Sequence, residues 1–142
     1  MAQLSNSKAR AIIRHTLKKG REMDLKPLSV AVLDAGGHLL AFEREDGASP
    51  GRFEIARGKA FGVIMTGMPG SALMERAEQQ PYFVAALNGA YGGQVIPVPG
   101  GLLIRDGRDR IIGSVGVTGD TSDNDAKAGQ AGVEAAGLKA EA

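Results

Sequence analysis

The sequence predicts an α+β sandwich, an antiparallel sheet built from two hairpins with helices packed on it. Two observations carry that prediction. Paired β-rich runs close on tight glycine turns within residues 28–44 and again within 102–117, and a hairpin makes its two strands antiparallel neighbours. Segments of helical period lie before, between and after these pairs. They do not alternate one by one with strands, as a doubly wound parallel sheet would require. At 142 residues the chain fits one domain, residues 1–142.

Residues 5–23 read as the first helix. Ala9, Ile12, Ile13, Thr16, Leu17 and Gly20 recur at steps of three and four and make one apolar stripe, with Ser5, Asn6 and Ser7 available as N-caps. The other face stacks Arg10, Arg14, Lys18 and Arg21, and it reads either as a solvated face or as a surface turned to an anion. Runs 28–33 and 38–44 then flank Asp34-Ala35-Gly36-Gly37 as the first hairpin. Both runs are apolar at odd and even positions alike, so they ask for cover on both faces. In so short a chain the second cover is expected from another subunit, which points to a homo-oligomer.

Residues 45–51 are loop by composition. A helix over 52–65 follows, then a short one through Gln79 with Ser71 as its cap, then one over 81–87 with Pro81 at its first position. Asn88-Gly89-Ala90-Tyr91-Gly92-Gly93 is too glycine-rich to be regular. The second hairpin pairs 102–105 with 110–117 around Asp106-Gly107-Arg108-Asp109. Ser122 or Asp123 caps a last helix to about Leu138, whose small residues Ala126, Gly129, Ala131 and Gly132 allow a neighbour to come close.

Composition closes off several functions. Lys plus Arg number 17 against 16 Asp plus Glu, a net charge of +1, too balanced for a protein that coats nucleic acid. With no cysteine, disulfides, thiolate metal sites, iron–sulfur clusters and cysteine nucleophiles are excluded. No apolar run reaches the ~18 residues of a membrane span. The first residues lack the layout of a secretory signal, so a cytoplasmic protein is expected. Glycine supplies 21 residues, about twice its usual share, and must bring backbones close together.

Strong catalytic motifs are missing. There is no Walker A sequence and no Gly-x-Ser-x-Gly elbow, and Gly113, Gly116 and Gly119 end a strand instead of opening a dinucleotide-binding unit. His15 and His38 are the only histidines and lack a helical zinc-binding spacing, so no metal site is assigned. Haem is easier to accommodate, needing an apolar slot, one or two axial ligands and cations for its propionates. Its candidate ligands are His15, His38, Tyr82, Tyr91, Met65, Met68 and Met74. Lys59 beside a glycine-rich loop reads as a clamp for a carboxylate or as a solvated or paired lysine. Arg44 and Asp46 either pair or line a cleft, and Pro99-Gly100-Gly101 offers unobstructed backbone N–H groups to an anion or simply enters a strand tightly.

These residues carry a resemblance. Val32-Leu33-Asp34-Ala35-Gly36-Gly37-His38-Leu39 with Arg44-Glu45-Asp46-Gly47 resembles the first hairpin of the GlcG/HbpS-like family, which includes the C-terminal domain of PduO-type adenosyltransferases. Lys59-Ala60, then Pro99-Gly100-Gly101-Leu102-Leu103-Ile104, then Ile112-Gly113-Ser114-Val115-Gly116-Val117-Thr118-Gly119, and finally Asp123-Asn124-Asp125 follow in the family's order. The resemblance implies a profilin-like sandwich that forms homo-oligomers. It also implies a pocket at Arg44, Asp46, Lys59 and the Pro99-Gly100-Gly101 turn. Some members bind or degrade haem, and others accompany small-acid or diol catabolism. The expectation is therefore a haem- or tetrapyrrole-binding protein with His15, Arg44, Lys59, Pro99, Gly100 and Gly101 at the ligand. The alternative is a cofactor-independent tautomerase, hydratase or hydrolase acting on a small carboxylate, with Lys59, Asp46 or His15 moving the proton. The partners expected are a small molecule and further copies of the chain, not nucleic acid or membrane.

Overall fold

The computed structural model describes residues 3–142. In chain order it forms α1 (Asn6–Glu22), β1 (Ser29–Asp34), β2 (Leu39–Arg44), α2 (Arg52–Thr66), α3 (Gly70–Gln79), α4 (Pro81–Ala90), β3 (Gly101–Arg105), β4 (Ile111–Thr118), α5 (Ser122–Ala135) and β5 (Lys139–Glu141). The strands make one antiparallel sheet in the order β2-β1-β4-β3-β5. The two hairpins lie side by side through β1 and β4, with Ser29 opposite Thr118 and Asp34 opposite Gly113. This is the expected α+β class.

The turns form for local reasons. Asp34 Oδ1 accepts from the Gly36 and His38 N–H groups at 2.9 and 3.0 Å and folds the first hairpin over itself. Asp106 does the same for the second, accepting from the N–H groups of Arg108 and Arg110 at 2.9 and 3.0 Å. Ser5 caps α1 by accepting from the Lys8 N–H. The last helix is capped one residue earlier than expected, by Thr121, whose hydroxyl accepts from the Asn124 N–H. Pro69, not Ser71, precedes α3, which begins without a side-chain cap. Asn88 and Gly89 are helical where an irregular stretch was expected, and the Asn88 side chain accepts from the Val95 N–H at 2.9 Å.

Both faces of β1, β3 and β4 are covered, but by this chain's own helices. Val30, Val32, Leu102, Ile104, Val115 and Val117 join Ile12, Ile13, Leu17, Ala128 and Val133 in one core under α1 and α5. The alternate residues face α2, where Leu103 packs with Val63 and Leu73, and the Ser114 hydroxyl donates to the Ala60 carbonyl at 2.8 Å. For β1 the second cover is therefore α2 and not a second subunit, contrary to the expectation. Gly116 shows how tightly α2 lies on the sheet: a Cβ there would stand 1.8 Å from the Ala56 carbonyl oxygen. Gly132 of α5 lies likewise against Thr16 of α1. β2 is an edge strand and stays half-exposed, with Leu39 46% exposed.

Candidate functional site

Along the edge of the sheet, α1 and β2 leave a groove of about 640 Å³. Ile13 and Leu17 of α1 and Ala41 of β2 give it an apolar floor. Ala41 and Glu43 pair with Val32 and Val30 and share their face of the sheet, whereas the Phe42 ring turns to the other face and meets Phe53 edge-on at 4.9 Å. Arg10, Arg14 and Lys18 rise along the helical side. They stack there because residues three and four apart share a helix face. Among the described residues these three cations form no ion pair and no hydrogen bond with another group.

Arg21 closes one end of the groove. Its guanidinium lies 3.2 Å from a Glu45 oxygen and donates to the Lys26 carbonyl at 3.0 Å. Glu45 is fixed in turn by the Leu28 N–H, which donates to it at 2.7 Å. Beyond this gate Arg44 and Asp46 line a smaller depression of about 410 Å³, which shares Arg21, Glu43 and Glu45 with the groove. The first hairpin thus brings Arg44 and Asp46 to the mouth of a cleft, although they do not pair with each other.

The remaining sequence candidates lie elsewhere. His15 is half-buried and does not line the groove. It stands on the Lys18 side of the row, about 60° round the helix from Lys18 and about 140° from Arg10 at ~3.6 residues per turn. His38 is exposed at the opposite end of β2. Tyr82 is 71% exposed on α4, while Tyr91, Met65 and Met68 meet at a separate cleft on the α2 side. Among the described residues no group of three His, Asp or Glu side chains converges to hold a metal ion.

Lys59 departs furthest from expectation as an open clamp. It is 3% exposed, its ammonium donating to the Val117 carbonyl at 2.9 Å and to Asp125 Oδ2 at 3.3 Å. Burial pushes the Lys59 pKa down, against the pull of Asp125. Burial equally pushes Asp125 up, against the pull of Lys59. Pro99, Gly100 and Gly101 are buried over this pair. Gly100 has φ +105°, and a Cβ on it would stand 2.9 Å from Lys59 Nζ and 2.6 Å from the Val117 oxygen. The turn and the lysine are thus brought together as expected, but as a closed joint between α2, β4 and α5. In the sequence Asp125 stands out only as part of Asp123-Asn124-Asp125; in the fold it is a buried counter-charge, 1% exposed.

A five-stranded antiparallel sheet between α1–α5 and α2 places this protein in a class of α+β sandwiches represented by several crystal structures. The PduOC–haem complex superposes with a TM-score of 0.84 at 21% identity, covering 96% of this chain and 97% of that one. HbpS gives 0.82 at 27% identity over 95% and 91% of the two chains. Protein ORFY of Klebsiella pneumoniae gives 0.83 at 22% over 96% and 93%. The chain belongs to the family described as haem degrading protein HbpS-like, whose model matches residues 4–134. No curated protein matches it. No helix among the described residues is long and apolar enough to cross a membrane.

Proposed function

We propose that the chain acts as one HbpS-like domain that binds a haem-type tetrapyrrole in the α1–β2 groove. The observation that carries this reading is the row of Arg10, Arg14 and Lys18, unpaired among the described residues, above a floor of Ile13, Leu17 and Ala41. A porphyrin is a flat apolar body with carboxylates on one edge. The floor suits the body, and the two guanidinium forks and the ammonium suit the propionates. The volume of about 640 Å³ falls in the range of small-molecule sites. Membership of the HbpS-like family and the likeness to HbpS support the same reading.

The fit covers the ring and its propionates and stops at the metal. Among the described residues no His, Met or Tyr lines the groove, whose other charged side chains are Arg21, Glu43 and Glu45. Haem, when bound, supplies a redox-active iron. The chain's own contribution is to bind and orient, so no step of haem degradation is assigned. A cytoplasmic homo-oligomer remains part of the proposal, supported for assembly by exposed Leu39 on the edge strand. No observation favours turnover of a small carboxylate at the expected clamp, because Lys59 is committed to Asp125.

A haemin titration of the purified protein, followed through the Soret region together with its solution mass, tests the reading. A saturable band is expected, weakened at least about tenfold when Arg10, Arg14 and Lys18 all become Gln, the equivalent of one charge-assisted hydrogen bond. A featureless titration, or unchanged affinity in the triple variant, overturns it. His15→Ala is expected to keep the wild-type band. Its loss would put the imidazole on the iron and move the site off the groove.

A further inference from the structure

The geometry points to a second binding site on the opposite face of the sheet, a cleft for a small apolar carboxylate between the end of α2 and the α3–α4 pair. The cleft has a volume of about 250 Å³, and Met65, Met68, Phe83 and Leu87 wall it. Two polar side chains face into it, Arg76 from α3 and Tyr91 from the end of α4. The site does not rest on the tetrapyrrole reading, and its volume is too small for one.

The polar groups are set for an anion. The Arg76 guanidinium lies 4.3 Å above the Phe83 ring and its Nε donates to the Gln80 side chain, which fixes the plane of the fork. Among the described residues neither terminal nitrogen of Arg76 has a hydrogen-bond partner, and neither has the Tyr91 hydroxyl. The Tyr91 ring is held edge-on to Phe61 with centroids 6.4 Å apart. Thr66, the remaining polar residue of the wall, is already committed: its hydroxyl donates to the Gly62 carbonyl and accepts from the Met68 N–H. No carboxylate lines the cleft, although Glu75 and Glu78 neighbour Arg76 on α3.

A planar fork with two open donors matches the two oxygens of a carboxylate, and the phenol supplies a third donor. The rest of the surface is apolar, and two thioethers adapt to a ring or a short chain more readily than branched side chains do. The occupant is therefore a monocarboxylate with a compact apolar or aromatic body. A neutral aromatic would gain the walls but leave the fork unanswered, and a polyanion would face apolar walls.

The test titrates 3-phenylpropionate and its uncharged amide into protein labelled with ¹³C at the methionine methyls. The acid is expected to saturate near about 1 mM, typical for so few atoms. It should shift the Met65 and Met68 methyls and leave Met23, which ends α1, unmoved. The amide should bind at least about tenfold more weakly, as should the acid to Arg76→Gln. Tyr91→Phe, which keeps the ring, should weaken the acid several-fold. Haemin binding by Arg76→Gln should equal that of the wild type, which separates this site from the groove. Absence of saturation, equal binding of acid and amide, or an unchanged response in folded Arg76→Gln overturns the assignment. Should Arg76→Gln fail to fold, the acid–amide contrast and Tyr91→Phe decide alone.

Discussion

The chain holds two sets of cations that look alike in sequence and differ in every physical respect. Lys59 sits between Gly58 and Ala60 on the face of α2 pressed against the sheet, and it is buried with a carboxylate from α5. Arg10, Arg14 and Lys18 project from α1 over the edge strand, and among the described residues they have no counter-charge. A lysine taken out of water must have its partner built in, because the lost hydration exceeds what the interior supplies otherwise. A row of exposed cations needs no partner to persist, so its partner can be a ligand. The closed set is joinery and the open set is a candidate site.

The largest effect that would break this contrast is in the closed set. Asp125→Ala removes the counter-charge that holds the Lys59 ammonium against desolvation under the Gly100 turn, and it should cost about 3–5 kcal/mol in urea unfolding. Replacing both partners, with Lys59→Met and Asp125→Leu, should recover much of that loss, since an apolar pair needs no hydration. If the single variant lost under about 1 kcal/mol, the pair would have to be wet and Lys59 open to a ligand after all.

What the sequence discloses follows the range of the interactions. The stripe of α1 and the basic row opposite it are set by spacing within 17 residues, and they appear as read. The hairpins are set by turn chemistry at Asp34 and Asp106, again local. Of the two readings the sequence leaves open for Lys59, the paired one holds and the clamp does not; its partner lies 66 residues away, where nothing in the spacing points to it. β5 was not foreseen at all: Lys139-Ala140-Glu141 has no strand character and pairs only because β3 offers an edge, held further by Arg105 and Glu141 at 2.8 Å. Similarly, β1 and β2 announce two covered faces, but only the folded chain shows that α2 supplies the second cover of β1 and that β2 stays half-exposed at the edge. The groove itself joins a helix to a strand, so its floor was invisible while its rim was legible.

A smaller effect sharpens the closed side of the comparison. The Asp120 N–H donates to Asp125 Oδ1 at 2.9 Å, and the Asp120 carboxylate accepts from the Lys26 and Thr121 N–H groups and from the Asn124 amide. The Asn124 hydrogen bond leads in holding its pKa down at about 2, below the ordinary 3.8. A folded pKa below the unfolded one means that this stabilisation is complete above about 3.8 and is lost as pH falls toward about 2. Asp120→Asn should therefore be less stable than the wild type at neutral pH, and the two should converge as pH approaches 2. Burial, the main cause of the opposite shift of Asp125, is common to both proteins, and the part due to the Asp120 charge leaves with that charge. A gap that stayed constant with pH would show that the Asp120 charge is not what holds the head of α5.

The smallest effect on stability is expected in the open set. Arg10, Arg14 and Lys18 repeat at four-residue steps, so each like-charged neighbour pair should cost about 0.2–0.5 kcal/mol instead of contributing. Replacing all three with Gln should leave stability within about 1 kcal/mol of the wild type, with the sign toward gain. The gain should shrink as salt rises, because a Debye length of about 10 Å at 0.1 M already screens exposed charges. Thermal melts at two ionic strengths read this directly. A loss above about 1 kcal/mol would make the row a structural element like Lys59 and remove the ground for reading the groove as a binding site. A neutral or stabilising result would mean that the fold carries these charges for no benefit of its own, as a site built for an anion would.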